Sequence, residues 1–469
     1  MTVPSLWIGH PFSDEPIDYR WSRAPLARLS VGMDGREVLR IPKHQNGELE
    51  YLGDNHLLTI AGTGAGKGRS VIIPNLIHYA GPVVVFDPKG ENYAVTARRR
   101  KELGQEVWKI DPFNLTNSKS DQLNPFDIFL LEREVVEAGA GLLSDLLPNV
   151  AAVSAFDHHH QLALDLISGL IAHVAADLPL HERSFNSVWE LLSPSSAVSR
   201  LTVLCDDRTI NTMANAKISA FLDLPAEELR PVVLNTARRL LESMQVESVR
   251  NALGKSSFDI KHVVEGKPLS IFIIIPPDKL KRHSSLLRLW LGVLIKAVLS
   301  RSSPPASRSL FLLDECGKFG AFQILEDAIT LGRGYGMQVW TFWQDMSQIK
   351  ALYPAAWRTI LANCDVYQFF GPRNQMISDD FAEVFGVDAE GVRRLRVSDQ
   401  VTVIGGGTAL RSTRLDCLYD TDFKEHCDVN PIYGPFKPRE ADELSNPTEL
   451  RGNNRLSIGS PTPPLASES

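Results

Sequence analysis

The sequence predicts an α/β protein with a mostly parallel sheet, and three observations support this fold class. Short runs of Val, Ile, Leu and Phe recur along the chain, and runs of this length fit strands that are buried on both faces of a parallel sheet. Helical stretches such as Ser285–Leu299 and Phe322–Leu331 lie between them. The first run leads into a glycine-rich turn and then a helix. The predicted strands are His56–Ile60, Val83–Phe86, Ile271–Ile275, Leu310–Leu313, Val339–Phe342 and Val366–Phe370.

Composition excludes several classes of protein. The chain has 469 residues, of which 43% are hydrophobic, so it can form more than one domain with an ordinary core. Its formal charge of −7 argues against a basic nucleic-acid coat, and any contact with DNA must come from a local basic surface. Five scattered cysteines indicate neither a disulfide framework nor a zinc site. The N-terminus does not resemble a signal peptide, and the longest apolar run is too short to cross a bilayer.

The strand pattern is interrupted by a long helical region. No strong strand signal occurs between about Phe129 and Asp259, and leucines recur every four residues from Leu162, as on one face of a helix. This region is predicted to be a helical insertion between strands of the sheet. The tail is rich in Pro, Ser and Asn and is predicted to be disordered. The predicted division is an N-terminal segment with at most a hairpin (1–50), a nucleotide-binding domain in two parts (51–130 and 256–436), an all-α insertion (131–255) and the tail (437–469).

The glycine-rich turn at Ala61–Gly68 has the pattern of a P-loop. Glycines allow backbone N–H groups to turn towards phosphate, and the following helix adds the positive end of its dipole. Lys67 is expected to reach the β- and γ-phosphates. Gly68 stands where a Ser or Thr usually binds Mg²⁺, so the residues alone leave direct ligation of the metal by this loop open. The predicted nucleotide-binding residues are Gly62, Thr63, Gly64, Ala65, Gly66, Lys67, Gly68 and Arg69.

A second motif follows about 250 residues later. The apolar strand Leu310–Leu313 ends in Asp314 and Glu315, as a Walker B strand does. Asp314 is predicted to hold Mg²⁺ through water, and Glu315 to polarise the attacking water. An acid at a strand end can equally cap the next helix. The combination with a P-loop favours nucleotide hydrolysis, because both motifs follow strands of one open sheet.

Two further side chains are candidates for catalysis. Gln344 follows the predicted strand Val339–Phe342 and can sense the γ-phosphate, although a glutamine at a strand end can also bond to backbone. Arg333 lies between Gly332 and Gly334 in a loop that can deliver an arginine finger to a neighbouring subunit or can be a plain flexible turn. The candidate catalytic residues are therefore Lys67, Glu315, Arg333 and Gln344.

These motifs, in this order, resemble type IV secretion coupling proteins of the TraG kind. The resemblance runs from about Leu57 to Gly386, and relatives also carry Gly at the position of Gly68. It implies a RecA-like P-loop NTPase domain with an inserted all-α domain, a homo-hexameric ring, and Arg333 as a finger supplied in trans. The segments that carry the resemblance are Ala61–Gly68, Val71–Leu76, Phe86–Glu91, Asp111–Phe113, Leu123–Phe126, Leu313–Glu315, Arg333–Gly336, Gln344–Asp345, Ser347–Gln348 and Asn363–Cys364.

The resemblance also implies a function. It predicts an ATPase with ATP and Mg²⁺ as cofactors, which recruits a relaxase with its DNA, single-stranded and bound without sequence preference, or a secreted protein, and delivers it to a type IV secretion channel. Relatives usually begin with transmembrane helices, and this sequence shows none. We therefore expect a cytoplasmic protein that is peripheral at the inner membrane through secretion partners, and is a monomer or a hexamer in isolation. Two alternatives remain: a nucleotide-regulated recruitment adaptor without turnover, and a soluble DNA translocase of the FtsK/HerA kind.

Overall fold

The computed structural model describes most of the chain between Leu49 and Lys437, together with two short N-terminal segments. Nearly all of the predicted tail (437–469) and most of the predicted N-terminal segment (1–50) lie outside the described residues. The described ranges are 5–10, 39–40, 49–147, 158–193, 196–207, 210–321, 323–371, 375–405 and 408–437.

The strands of the described residues form a small antiparallel sheet and a large central sheet. The small sheet has the order β1-β3-β2, and the central sheet has the order β12-β11-β10-β4-β9-β8-β5-β7-β6. The strands are β1 (Leu6–Gly9), β2 (Leu39–Arg40), β3 (Leu49–Tyr51), β4 (His56–Ile60), β5 (Val83–Phe86), β6 (Glu106–Ile110), β7 (Leu269–Ile273), β8 (Ser309–Leu313), β9 (Met337–Trp343), β10 (Cys364–Phe370), β11 (Asp399–Ile404) and β12 (Thr408–Thr413).

The central sheet is mostly parallel, so the predicted fold class is confirmed. Every pairing from β10 to β6 is parallel, and only β11 and β12 add antiparallel strands at one edge. All six predicted strands are present, although β7 begins at Leu269 and not at Ile271. Strands β6, β11 and β12 were not predicted from the sequence. The predicted N-terminal hairpin corresponds to β1–β3, which form a sheet of their own in the described residues.

Helices cover the sheet, and only helices and loops occur in the described residues between β6 and β7. The α-helices are α1 (Ile73–His78), α2 (Glu91–Glu102), α3 (Val136–Asp145), α4 (His158–Asp177), α5 (Phe185–Leu191), α6 (Ala197–Asp206), α7 (Thr212–Leu222), α8 (Arg230–Leu241), α9 (Glu247–Ala252), α10 (Ile260–Glu265), α11 (Pro277–Leu299), α12 (Gln323–Leu331), α13 (Met346–Leu352), α14 (Trp357–Ala362), α15 (Gln375–Phe385) and α16 (Ala389–Arg393). A π-helical turn at Gly68–Ile72 precedes α1, and short 3-10 helices occur at Pro125–Leu130, Leu180–Glu182, Glu242–Met244, Cys316–Lys318, Gly332–Tyr335 and Thr421–Phe423.

Both faces of the central sheet are buried, because neighbouring residues of a strand point to opposite faces. Leu58 of β4 packs in a cluster that includes Trp290 of α11, whereas Leu57 packs in a second cluster with Leu76 of α1. This two-sided burial accounts for the continuous apolar runs in the sequence. In the described part of the chain, no helix is both long and apolar enough to cross a membrane.

A buried arginine fixes α1, which follows the glycine-rich loop, and α2, which follows β5. Arg100 of α2 is fully buried. Its guanidinium donates to the carbonyl oxygens of Leu76 at 3.1 Å and Gly81 at 2.7 Å, to that of Tyr79, and to Ser270 Oγ at 2.8 Å. One side chain thus ties α2 to the end of α1 and to β7. A planar guanidinium can satisfy several carbonyls at once, which a lysine ammonium does less well.

Candidate functional site

The P-loop begins where β4 ends, at the carboxyl edge of the parallel strands. Ala61 N donates to Trp343 O at 2.9 Å, which joins the start of the loop to the end of β9. Gly64 and Gly66 have φ angles of +75° and +89°, and L side chains rarely adopt this conformation. The sequence therefore needs glycine at both positions for the backbone to turn. A Cβ atom at Gly64 would meet nothing within 4 Å, so the requirement there comes from the backbone and not from space.

Lys67 lies at the centre of the site and is only 6% exposed. Its Nζ donates to Ala61 O at 3.1 Å and to Glu315 Oε1 at 3.2 Å. The lysine of the P-loop and the glutamate of the Walker B motif are thus in contact, although they are 248 positions apart in the chain.

Glu315 is held from two sides. Gln344 Nε2 donates to Glu315 Oε2 at 2.8 Å, so both carboxylate oxygens are engaged. Burial favours the neutral acid, but the Lys67 ammonium and the Gln344 amide outweigh it and keep the pKa of Glu315 below its usual value. The charged carboxylate, which a general base needs, is therefore the stable form. The structure brings together three of the four predicted catalytic side chains.

The backbone of Glu315 is in the left-handed region, with φ of +49° and ψ of +43°. Asp314 Oδ1 accepts the N–H of Glu315 at 2.9 Å, which satisfies the turned backbone. Such a conformation costs a non-glycine residue about 1–3 kcal/mol and persists only where the surroundings impose it. Here the turn directs the side chain of Glu315 towards Lys67 and Gln344.

Asp314 lies among other carboxyl groups in a buried position. Burial raises the pKa of Asp314 to about 6; the Lys67 ammonium opposes the rise and the Glu315 carboxylate adds to it. Asp87, which follows the neighbouring strand β5, has its pKa raised to about 7, chiefly by burial and further by Glu91 and Asp314. Burial thus disfavours the charged form of both acids, and a bound cation would offset this penalty.

Such a position fits a divalent cation. Mg²⁺ is commonly held by one or two carboxylates together with phosphate oxygens and water. Among the described residues, no three His, Cys, Asp or Glu side chains form a complete metal cluster. A nucleotide's phosphates would therefore have to supply part of the coordination, which agrees with the predicted role of Asp314.

Arg69 faces away from the catalytic side chains. Its Nε lies 3.1 Å from Asp416 Oδ1, and its guanidinium lies 5.5 Å from the ring centre of Tyr419 and 5.6 Å from that of Tyr433. The side chain thus links the start of the π-helical turn to the segment after β12. A nucleotide contact by Arg69 stays a prediction, and in this arrangement only its backbone lies in the P-loop helix.

Arg333 lies at the amino-terminal ends of the parallel strands, opposite the P-loop. Its Nη1 donates to Asn55 Oδ1 at 2.8 Å, and its Nε lies 3.2 Å from Asp54 Oδ1. Asp54 and Asn55 come directly before β4, whereas the P-loop comes directly after it. Five residues of a strand span about 16 Å, so Arg333 does not reach the P-loop of its own chain in this arrangement. Its side chain is 54% exposed and is available to a neighbouring molecule.

Two sets of residues in the site were not predicted from the sequence. Arg414 follows β12, and its Nη1 donates to the carbonyl oxygen of Ala65 in the P-loop. Its guanidinium stacks on Phe370 at 4.6 Å, and burial lowers its pKa to about 10. The residues Glu91 and Asn92 at the start of α2 also face the P-loop. No local signal points to Arg414, since 349 positions separate it from Ala65.

The chain is similar to proteins of conjugative DNA transfer. The family model described as "Type IV secretory system Conjugative DNA transfer" matches residues 32–387. A conjugal transfer protein TraG of Escherichia coli is 25% identical over 396 residues, which cover 78% of this chain and 60% of that protein. The type IV secretion system-coupling protein VirD4 of Bartonella quintana is 24% identical over 354 residues, covering 73% and 55%. The chain thus spans little more than half the length of these two relatives.

Solved structures of the conjugative coupling protein TrwB share the fold. A TrwBdeltaN70 structure with sulphate has a TM-score of 0.60 at 16% identity, covering 87% of this chain and 96% of that one. TrwB with the ATP analogue ADPNP has a TM-score of 0.61 at 16% identity, covering 87% and 96%. TrwB with ADP and Mg²⁺ has a TM-score of 0.59 at 15% identity, covering 89% and 95%. At these identities the likeness establishes the RecA-like P-loop NTPase fold.

The contacts of Glu315 predict that removing its charge affects turnover more than binding. Glu315→Gln keeps the size of the side chain but removes the charge that polarises water and pairs with Lys67. We expect kcat for ATP hydrolysis to fall by about 10²-fold, while the dissociation constant for ATP does not rise. Steady-state kinetics and calorimetry provide the two values. Glu383→Gln, on the exposed side of α15, is the matched control. Equal losses of affinity and turnover would make Glu315 a structural residue.

Proposed function

The chain belongs to the type IV secretory system family of conjugative DNA transfer, and from this premise we propose that it is a coupling ATPase. It recruits a relaxase–DNA complex or a secreted protein and uses ATP hydrolysis to deliver this cargo to a type IV secretion channel. The observation that carries the proposal is the contact of Lys67 with Glu315 and of Glu315 with Gln344 at the end of three neighbouring parallel strands.

The site residues divide the work of hydrolysis. Lys67 holds the β- and γ-phosphates once ATP has replaced Glu315 as its partner. Glu315, released from Lys67, accepts the proton of the attacking water on a carboxylate oxygen. Gln344 orients this carboxylate and reports the state of the γ-phosphate to β9. Bound with the nucleotide near Asp314, Mg²⁺ supplies neutralisation of the negative charge on the phosphate oxygens.

The nucleotide is proposed to be ATP with Mg²⁺. TrwB, which shares the fold, has been solved with the ATP analogue ADPNP and with ADP and Mg²⁺. In this chain the buried acids Asp87 and Asp314 provide the oxygen groups that such a metal needs, and the open P-loop provides the phosphate site. The chemistry of the donors thus supports the same class of ligand.

The working assembly is proposed to be a homo-hexamer with active sites between subunits. The chain itself provides Lys67 as the positive charge at the phosphate site, with Arg414 bound to the P-loop carbonyl. Arg333 lies at the other edge of the sheet, where it is exposed and contacts Asp54 and Asn55. In a ring, the amino-terminal edge of one subunit can face the carboxyl edge of the next, which delivers Arg333 in trans.

The functional proposal is tested by ATP turnover with and without single-stranded DNA. We expect turnover that DNA stimulates and that Lys67→Ala abolishes, because this variant loses the charge that holds the phosphates. Lys261→Ala, an exposed lysine of α10, should behave as wild type. Co-purification with secretion-channel components then identifies the system. ATP binding without turnover would support the adaptor instead, and DNA-stimulated turnover without any channel partner would support a soluble translocase.

The trans finger is tested by mixing two inactive proteins. Lys67→Ala keeps Arg333, and Arg333→Ala keeps the P-loop, so a mixed ring restores an intact pair at about a quarter of its interfaces when subunits mix at random. We expect ATPase activity to return in part on mixing, although each variant alone should lose about 10³-fold or more. Arg282→Ala, which removes an exposed arginine elsewhere, is the control for surface effects. Native mass spectrometry that shows mixed oligomers without any recovered activity would contradict a finger in trans.

A further inference from the structure

Gly68 leaves the P-loop without the hydroxyl that usually contacts Mg²⁺. The structure shows which atoms occupy the space beside it. A Cβ atom built on Gly68 would lie 3.7 Å from Oδ1 of Asn92 and 3.8 Å from Oε2 of Glu91. Both side chains belong to the first turn of α2, directly after β5. Two oxygen atoms from a second element therefore lie on the side of Gly68 where a serine or threonine would carry its own oxygen.

The Asn92 oxygen has no hydrogen-bond donor among the described residues. Asn92 is 3% exposed, and its Oδ1 is fully buried. An unsatisfied buried oxygen is energetically costly, so its presence calls for an explanation. Neighbouring polar groups have partners: Glu91 Oε1 accepts from Asn430 Nδ2 at 2.7 Å, which leaves Oε2 towards Gly68. The Asn92 oxygen thus has unused lone pairs and lies beside Gly68 of the P-loop.

The carboxyl groups near the start of α2 favour a cation over an anion beside Asn92 Oδ1. Asp87 follows β5 shortly before α2, and it is close enough to Asp314, which follows the paired strand β8, for the two to interact electrostatically. An amide oxygen accepts hydrogen bonds or binds a metal, and it repels a phosphate oxygen. Mg²⁺ prefers oxygen ligands and takes most of them from water and phosphates in nucleotide sites. One amide oxygen, together with the carboxylates, would give the metal a set of protein ligands beside water and phosphate.

We infer that Asn92 supplies one protein oxygen for the Mg²⁺ of the bound nucleotide and so replaces the hydroxyl that Gly68 lacks. Glu91 lies beside it as a second oxygen. The inference rests on the proposed nucleotide site, since the phosphates provide the rest of the coordination. It assigns a function to the start of α2 and explains how a P-loop with Gly at this position can retain the metal.

The test measures metal binding apart from turnover. The dissociation constant of a non-hydrolysable ATP analogue is measured by calorimetry in EDTA and in Mg²⁺, and Mn²⁺ affinity of the analogue complex by electron paramagnetic resonance. For Asn92→Ala we expect metal-free nucleotide affinity to stay as in wild type and Mn²⁺ affinity to fall by about 10-fold or more. Asn363→Ala, at the opposite edge of the sheet, should change neither value. Circular dichroism checks that each variant is folded.

A substitution at Gly68 is designed to restore the metal affinity that Asn92→Ala loses. Gly68→Ser introduces the usual hydroxyl, and the distances of 3.7 and 3.8 Å leave room for its Cβ atom. In the double variant Gly68→Ser with Asn92→Ala we expect Mn²⁺ affinity to recover. Asn92→Asp, which keeps an oxygen at the same place, should retain metal affinity. This variant also controls for folding, because it is nearly isosteric with asparagine.

Three results would overturn the inference. Unchanged Mn²⁺ affinity in Asn92→Ala would show that the amide oxygen does not contact the metal. A loss of metal-free affinity in Asn92→Ala, with the protein folded, would mean that the amide nitrogen donates to phosphate instead. Failure of the wild-type protein to bind the analogue even in Mg²⁺ would reject the proposed function and this inference with it. Normal metal-free binding with unchanged metal affinity rejects the inference alone.

Discussion

The arrangement of the site depends on a strand placed between two others. The P-loop follows β4 and the Walker B acids follow β8, yet these strands do not pair, because β9 lies between them. Parallel strands lie about 4.8 Å apart, so Lys67 and Glu315 must bridge two such spacings. The long side chain of Lys67 and the left-handed backbone of Glu315 achieve this. Gln344, at the end of β9, fills the space between them and bonds to Glu315.

This contact determines the electrostatics of the site. Lys67 is almost fully buried, and its ammonium is shared between the Ala61 carbonyl and the Glu315 carboxylate. A nucleotide phosphate therefore competes with Glu315 for the same cation. In the proposed mechanism, binding of ATP and release of Glu315 from Lys67 are therefore one event.

Much of the fold and part of the site could be predicted from the sequence, for physical reasons. Strands buried on both faces, such as β4 and β5, produce continuous apolar runs, and glycines with positive φ mark the P-loop. β6 was missed because it is an edge strand whose first residue, Glu106, is exposed. β11 was missed because polar residues such as Thr402 are buried within it. The contacts of Arg414 and Asn92 depend on which segments the fold brings together, and no local pattern encodes them.

If Glu315 and a nucleotide compete for Lys67, the effect of Glu315 on nucleotide affinity must depend on Lys67. A double-mutant cycle measures this dependence. Calorimetry would give dissociation constants for a non-hydrolysable ATP analogue in the wild type, Glu315→Gln, Lys67→Ala and the double variant, at one Mg²⁺ concentration. We expect Glu315→Gln to strengthen binding of the analogue more when Lys67 is present than when it is absent, with a coupling energy of about 0.5 kcal/mol or more. An equal effect of Glu315→Gln in both backgrounds would contradict the claim.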